Sequence, residues 1–181
     1  FFVAVEHLGE MELAATNVIR SVSTVFFVIV NSLAATTGSL VSNLLGAGQK
    51  RQVIPLCNCV VRLGYAIGFP LVILAVIFYR PIIGIYTEST ALMQIAHLPF
   101  VVMLLNYIFA LPGYVYMNSV TGTGATRMTF IFQLITIVAY QIYLWSISCF
   151  STSLSVYWTA EYLYVILLGL LSVIYLKYKH Y

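Results

Sequence analysis

Arg20 and Glu161 are ionisable residues placed within or at the edge of long apolar stretches. Charge is expensive in lipid, so such residues face a cavity, face each other, or act as interfacial anchors. Neutral hydrogen-bonding groups accompany them: Asn17, Asn31, Asn106, Asn118, Gln133 and Gln141. Each of these can recognise a polar solute or join two helices. Tyr114 and Tyr116 add aromatic faces beside Pro112, a residue that bends a helix. Asn106, Tyr114 and Asn118 stand eight and four residues apart. At about 3.6 residues per turn, this brings them close to one helix face. Pro112-Gly113 lies between them and is the expected bend, able to expose carbonyls within the membrane. The chemistry on offer is non-covalent: polar or charged solutes held inside a deformable apolar body. Arg20, Asn31, Asn106, Tyr114, Asn118 and Glu161 are the candidate cavity residues.

Covalent and metal chemistry find less support. Cys57 and Cys59 form a Cys-x-Cys pair, but no second cysteine pair or neighbouring histidine completes a tetrahedral set. Both read as small apolar residues. The glycines between Thr121 and Arg127 lack the preceding strand and the Lys-Ser/Thr ending of a phosphate loop, and predict a tight helix–helix turn. His7, His97 and His180 occupy three separate regions, and no Ser, His and acid set stands out. Neither an enzyme nor a metal or organic cofactor is expected.

The elements that position these residues follow from composition. Of 181 residues, 62% are hydrophobic and 7% charged, with no Asp, against about 25% charged in a soluble domain. Such a chain cannot cover a water-facing surface, so the expected class is an all-α, polytopic transmembrane bundle surrounded by lipid. The net charge of +3 is too small and scattered to point to nucleic acid. Leu13–Gly46 carries no charge after Arg20 and exceeds the roughly 20 residues that a spanning helix needs. Within it, Ala34 and Gly38, like Ala35 and Ser39, stand four apart and make small faces for a neighbouring helix. Further spans are expected at Gln52–Tyr79, with Pro70 inside, Thr90–Val120, Met128–Cys149 and Val156–Leu176, and a polar turn at Ser151–Ser155. The apolar start, Phe1–Val5, resembles the tail of a preceding helix and suggests a fragment of a longer protein.

Five spans alternate the loops between two sides. One side collects Lys50, Arg51, Arg127, Lys177 and Lys179; the other collects Glu6, Glu10, Glu12 and Glu88, with Arg80. The positive-inside rule makes the first side, with the C-terminal end, cytoplasmic. Trp145 and Trp158 flank the last turn, where an aromatic belt at the outer interface would hold them.

Leu8-Gly9, Leu13-Ala14-Ala15, a long apolar run and Leu45-Gly46-Ala47-Gly48 resemble the second helix of one half of a MATE (multidrug and toxic compound extrusion) transporter. Asn118–Arg127 resembles the motif that closes the fourth helix of that family's second half, and the likeness extends over nearly the whole chain. The resemblance implies one lobe of a two-lobe, V-shaped protein: the C-terminal lobe, residues 1–181, without most of its first helix. The N-terminal lobe of the same protein would then be its partner. It further implies export of cationic or amphipathic small molecules, with a proton or sodium as coupling ion, at the cell's inner (plasma) membrane. Where some members carry a fourth-helix acid, this chain reads Ala110-Leu111-Pro112-Gly113. Its neutral polar groups are therefore expected to shape the substrate cavity more than to bind the coupling ion. Two alternatives stand beside this reading. One is a lipid-linked polysaccharide flippase of the same superfamily, which calls for several basic residues in its cavity. The other is a non-transporting scaffold or receptor bundle.

Overall fold

The computed structural model describes residues 5–6, 9–150 and 153–179. The expected start at Phe1, His7, the Ser151–Thr152 part of the last turn and His180 lie outside the described residues. Helix α1 is Glu10–Gly46, α2 is Val53–Ile77 and α3 is the short Tyr79–Gly84. Helices α4 (Thr90–Leu105) and α5 (Tyr107–Gly122) make one broken span, followed by α6 (Thr126–Phe150) and α7 (Leu154–Tyr178). Five stretches are long and apolar enough to cross a membrane: α1, Lys50–Ile77, Thr90–Gly122, α6 and α7. Described residues form no strand, and the fold is an all-α polytopic bundle. Its outward side chains are lipid-like, among them Ile73, Ile77, Phe130, Leu134, Ile142 and Ile174.

Several boundaries differ from the sequence expectation. The second span stops at Ile77, and Tyr79 opens the separate turn α3, held when its hydroxyl donates to the Met93 carbonyl. Ser155 belongs to the first turn of α7 rather than to the connection before it. The tight turn after α5 is present, with Gly124 at φ 83, a conformation that favours glycine.

The third span also carries a break that the sequence reading did not place. Pro112 sits inside α5, and the helix is interrupted at Asn106. A proline deprives the carbonyl four residues earlier of its donor. That carbonyl, of Ile108, accepts the Tyr65 hydroxyl of α2 at 2.5 Å, so a neighbouring helix repairs the defect. At Asn106 the ladder tightens: its N–H is shared between the carbonyls of Val102 and Met103, at 3.2 and 3.1 Å. The Tyr162 hydroxyl of α7 also donates to the Val102 carbonyl and ties the break to the last span.

Without a hydrophobic driving force in lipid, helices associate through close packing and interhelical hydrogen bonds. The α4–α5 span is the hub, contacting α1, α2, α6 and α7. The small face Ala34/Gly38 of α1 is turned onto α5: a Cβ on Gly38 would lie 3.0 Å from the Asn118 carbonyl oxygen. Ala35 and Ser39, by contrast, are exposed. A second close crossing joins α5 to α7, where a Cβ on Gly113 would lie 2.6 Å from the Val165 carbonyl oxygen. On α2, Gly64 and Gly68 leave room for the side chains of Leu111 and Tyr107, and the Tyr107 hydroxyl donates to the Gly64 carbonyl at 2.9 Å.

These pairings set helix directions. Cys57 meets Ser119 and Tyr65 meets Ile108, so α2 runs against α5. Thr129 meets Thr121, while Gln133 meets Met117, so α6 does the same. Helices α1 and α7 run with α5: Gly38 lies at Asn118 and Ser42 at Gly122, while Tyr162 lies at Phe109 and Val165 at Gly113. Lys50, Arg51, Arg127, Lys177 and Lys179 consequently gather at one end of the bundle, and Glu10, Glu12, Arg80 and Glu88 at the other.

Replacing Tyr65 by phenylalanine should keep the ring stacked on Phe69, at 5.0 Å, while leaving the Ile108 carbonyl without its donor. The expected cost is about 1 kcal/mol, the scale of one interhelical hydrogen bond in a membrane. A lower Tm of the purified full-length protein in detergent would report it. An unchanged Tm would mean that the proline defect needs no repair.

Candidate functional site

Two ionisable residues of the spans, 141 positions apart, meet. Arg20 Nη2 lies 3.4 Å from Glu161 Oε1. Arg20 comes from the N-terminal half of α1 and Glu161 from the N-terminal half of α7. These helices both pack on the hub but scarcely touch along their backbones. The ion pair therefore bridges a gap between them. The arginine side chain keeps 37% of its surface exposed and the glutamate 19%, so the pair is sheltered on one side and open on the other.

Aromatic side chains enclose the sheltered side. The Arg20 guanidinium lies 5.0 Å from the ring centroid of Trp158, which is one turn before Glu161 on α7. The Tyr140 hydroxyl of α6 donates to Glu161 Oε1 at 3.4 Å. Tyr164 sits edge-on to Tyr140 at 6.1 Å, and Phe27 sits edge-on to Tyr114 at 6.3 Å. Tyr114 and Tyr164 also lie within electrostatic reach of Glu161. Four helices, α1, α5, α6 and α7, thus contribute to a cluster of one carboxylate, one guanidinium and a ring of aromatics. Such a cluster can hold a cation between negative charge and π faces.

Trp158 departs from the expected interfacial belt. It is 2% exposed and packed beneath Arg20, whereas Trp145 is 74% exposed.

The remaining candidates separate. Tyr114 and Asn118 stay together on a half-buried face of α5, where the Asn118 amide donates to the Tyr114 carbonyl at 3.0 Å. Asn106 does not join them: it marks the break, is 2% exposed, and its Oδ1 has no partner among the described residues. Beside the break a cavity of about 10 Å³, lined by Phe26, Phe27 and Val30 of α1 and by Met103, Leu104, Tyr107 and Ala110, offers about the room of one water. Asn31 is exposed on α1. It shares that surface with the exposed Asn17, Ser21, Thr24, Ala35, Ser39 and Ser42, and with the exposed Val28. Hydroxyls along it fold back onto carbonyls of their own helix, as Ser21 does to Asn17 at 2.9 Å and Thr24 to Arg20 at 3.0 Å.

Cys57 and Cys59 point to different sides of α2. Cys57 is buried, with Sγ 2.9 Å from Ser119 Oγ, and Cys59 is exposed. His97 stacks its ring edge-on against Tyr79 at 4.8 Å.

Sequence reasoning missed Trp158, Tyr140 and Tyr164 as companions of the charged pair. The spacing Trp158, Glu161, Tyr164 places the first and last on the carboxylate's own helix face and was the available signal. Tyr140 carries no such signal, because it arrives from another helix.

A bundle of apolar helices with an ion pair held inside its spans defines an integral membrane protein. The model of the MatE family matches residues 1–145, and the chain belongs to that family. It is accordingly a transporter of the MATE superfamily. No curated protein and no solved structure matched the chain.

Proposed function

We propose that the chain is the C-terminal lobe of a secondary active exporter in the cell's inner (plasma) membrane. The full protein extrudes cationic or amphipathic small molecules in exchange for protons or sodium ions. The observation that carries this reading is the Arg20–Glu161 pair, a carboxylate kept inside the membrane on the open side of an aromatic cluster. Once the guanidinium leaves it, a carboxylate in that position attracts cations and discriminates against anions. Tyr114 and Asn118 shape the adjoining wall rather than bind the coupling ion. Asn17 and Asn31 on the exposed side of α1 suit water or protein better than lipid. The N-terminal lobe across a V-shaped cavity is the partner that this surface suits. A flippase for anionic lipid-linked sugars fits less well, because it calls for several basic residues and Arg20 is the one base in this cluster. Lys50, Arg127 and the C-terminal end are assigned to the cytoplasm from the gathering of basic residues at one end of the bundle.

Full-length protein in vesicles should accumulate a cationic dye when a proton or sodium gradient is imposed, and residues 1–181 alone should not. Reporter tags after Gln49 and Arg127 should read cytoplasmic, and a tag near Glu88 external. Absence of gradient-driven uptake by the full-length protein would sink the exporter reading. Gln49 and Glu88 tags on one side would sink the orientation.

A further inference from the structure

Arg20 occupies the place in which the cluster would hold a cargo cation. We propose that Arg20 is a resident cation that competes with monovalent substrates for Glu161 and is displaced when one binds. This rests on the exporter reading and adds to it a device for release.

Three observations carry it. The guanidinium already receives what a cation site supplies: a carboxylate oxygen at 3.4 Å and an indole ring at 5.0 Å, with the Tyr140 hydroxyl on the same oxygen. Next, the pair is loose. A tight charge-assisted contact runs to about 2.7–2.9 Å and arginine commonly grips both carboxylate oxygens, whereas here both contacts fall on Oε1 and Oε2 accepts no hydrogen bond among the described residues. Finally, Arg20 has somewhere to go. Its side chain is 37% exposed, and Asn17 and Thr24, three residues before and four after, lie exposed on the same helix. Because α1 and α7 scarcely touch, opening the pair disrupts no helix crossing.

The consequence is a population effect. A binding-competent state that is only fractionally populated weakens apparent affinity by that fraction. While Arg20 holds Glu161, a substrate pays for displacing it; after release, Arg20 refills the site and prevents recapture. A pair serving only as a clasp between α1 and α7 predicts the opposite, since removing Arg20 would then loosen the site and weaken binding.

The test uses purified full-length protein and tetraphenylphosphonium, a monocation without hydrogen-bond donors, with triphenylphosphine oxide as the neutral control. Arg20→Gln should lower the Kd for tetraphenylphosphonium by about tenfold or more, the value for a site held by Arg20 about nine-tenths of the time. Arg20→Lys should stay close to the wild type, and the neutral control should not respond. An unchanged or weaker Kd in a folded Arg20→Gln variant overturns the proposal while leaving the exporter reading in place. Loss of folding in both Arg20→Gln and Arg20→Met would make the pair a clasp and overturn it as well. Failure of wild type and variants alike to bind tetraphenylphosphonium, together with absence of gradient-driven uptake, overturns the proposal and the exporter reading together.

Discussion

Gly122→Val should abolish the folded lobe. A Cβ at Gly122 would overlap the carbonyl oxygen of Gly38 and lie 3.1 Å from its Cα, so the obstruction is backbone and cannot rotate away. Helices α1 and α5 would have to separate. That separation breaks the Ser42 hydroxyl bond to the Gly122 carbonyl, now 2.8 Å, and unseats Ala34 and Gly38. Since close approach of small residues is the main source of helix association in lipid, the expected cost is more than about 3 kcal/mol. Gly46→Ala is the matching control: nothing lies within 4 Å of a Cβ there, and alanine is the better helix former. Yield of monodisperse full-length protein and its Tm decide the matter. A Gly122→Val protein with wild-type yield and Tm would show that this crossing is not close.

The second large effect is expected at Glu161. Glu161→Gln keeps the size and hydrogen-bonding reach of the side chain but removes its charge. It removes the carboxylate from beside the Arg20 guanidinium and takes away the attraction for a cargo cation. The site is partly open to solvent, so losing the carboxylate costs a cargo cation about 1.4 kcal/mol, less than in a fully buried pair, and every 1.4 kcal/mol is about tenfold. Initial rates of gradient-driven cation export in proteoliposomes should therefore fall by about tenfold. Export within about twofold of wild type, from protein reconstituted at equal density, would place the cation-binding group elsewhere.

Much of the architecture is legible along the chain because lipid imposes one-dimensional rules. A helix must satisfy its own backbone and must be apolar for about 20 residues, so the five spans and the alternation of charge follow from local composition. The small face of Ala34 and Gly38 is legible for the same reason, since spacing alone defines a helix face. So is the fact that Arg20 and Glu161 require company.

What the partners are is a different kind of information. Nothing near Gly38 in sequence announces Gly122, and nothing near Arg20 announces Glu161; both meetings depend on how α1, α5 and α7 lie together. The third span shows the distinction most clearly. Pro112 carries a local signal for a bend, but Tyr65 from α2 supplies the missing donor, and a break also falls at Asn106, where a Tyr162 bond from α7 braces it. Trp158 likewise lies buried beneath Arg20 rather than exposed in the expected belt. The sequence by itself determined the class, the spans and which residues are too polar to face lipid, because a residue's cost in the membrane is its own property. Only the tertiary structure decided which group meets that cost, because in an apolar solvent an unpaired polar atom is bound by whichever partner the packing brings within reach.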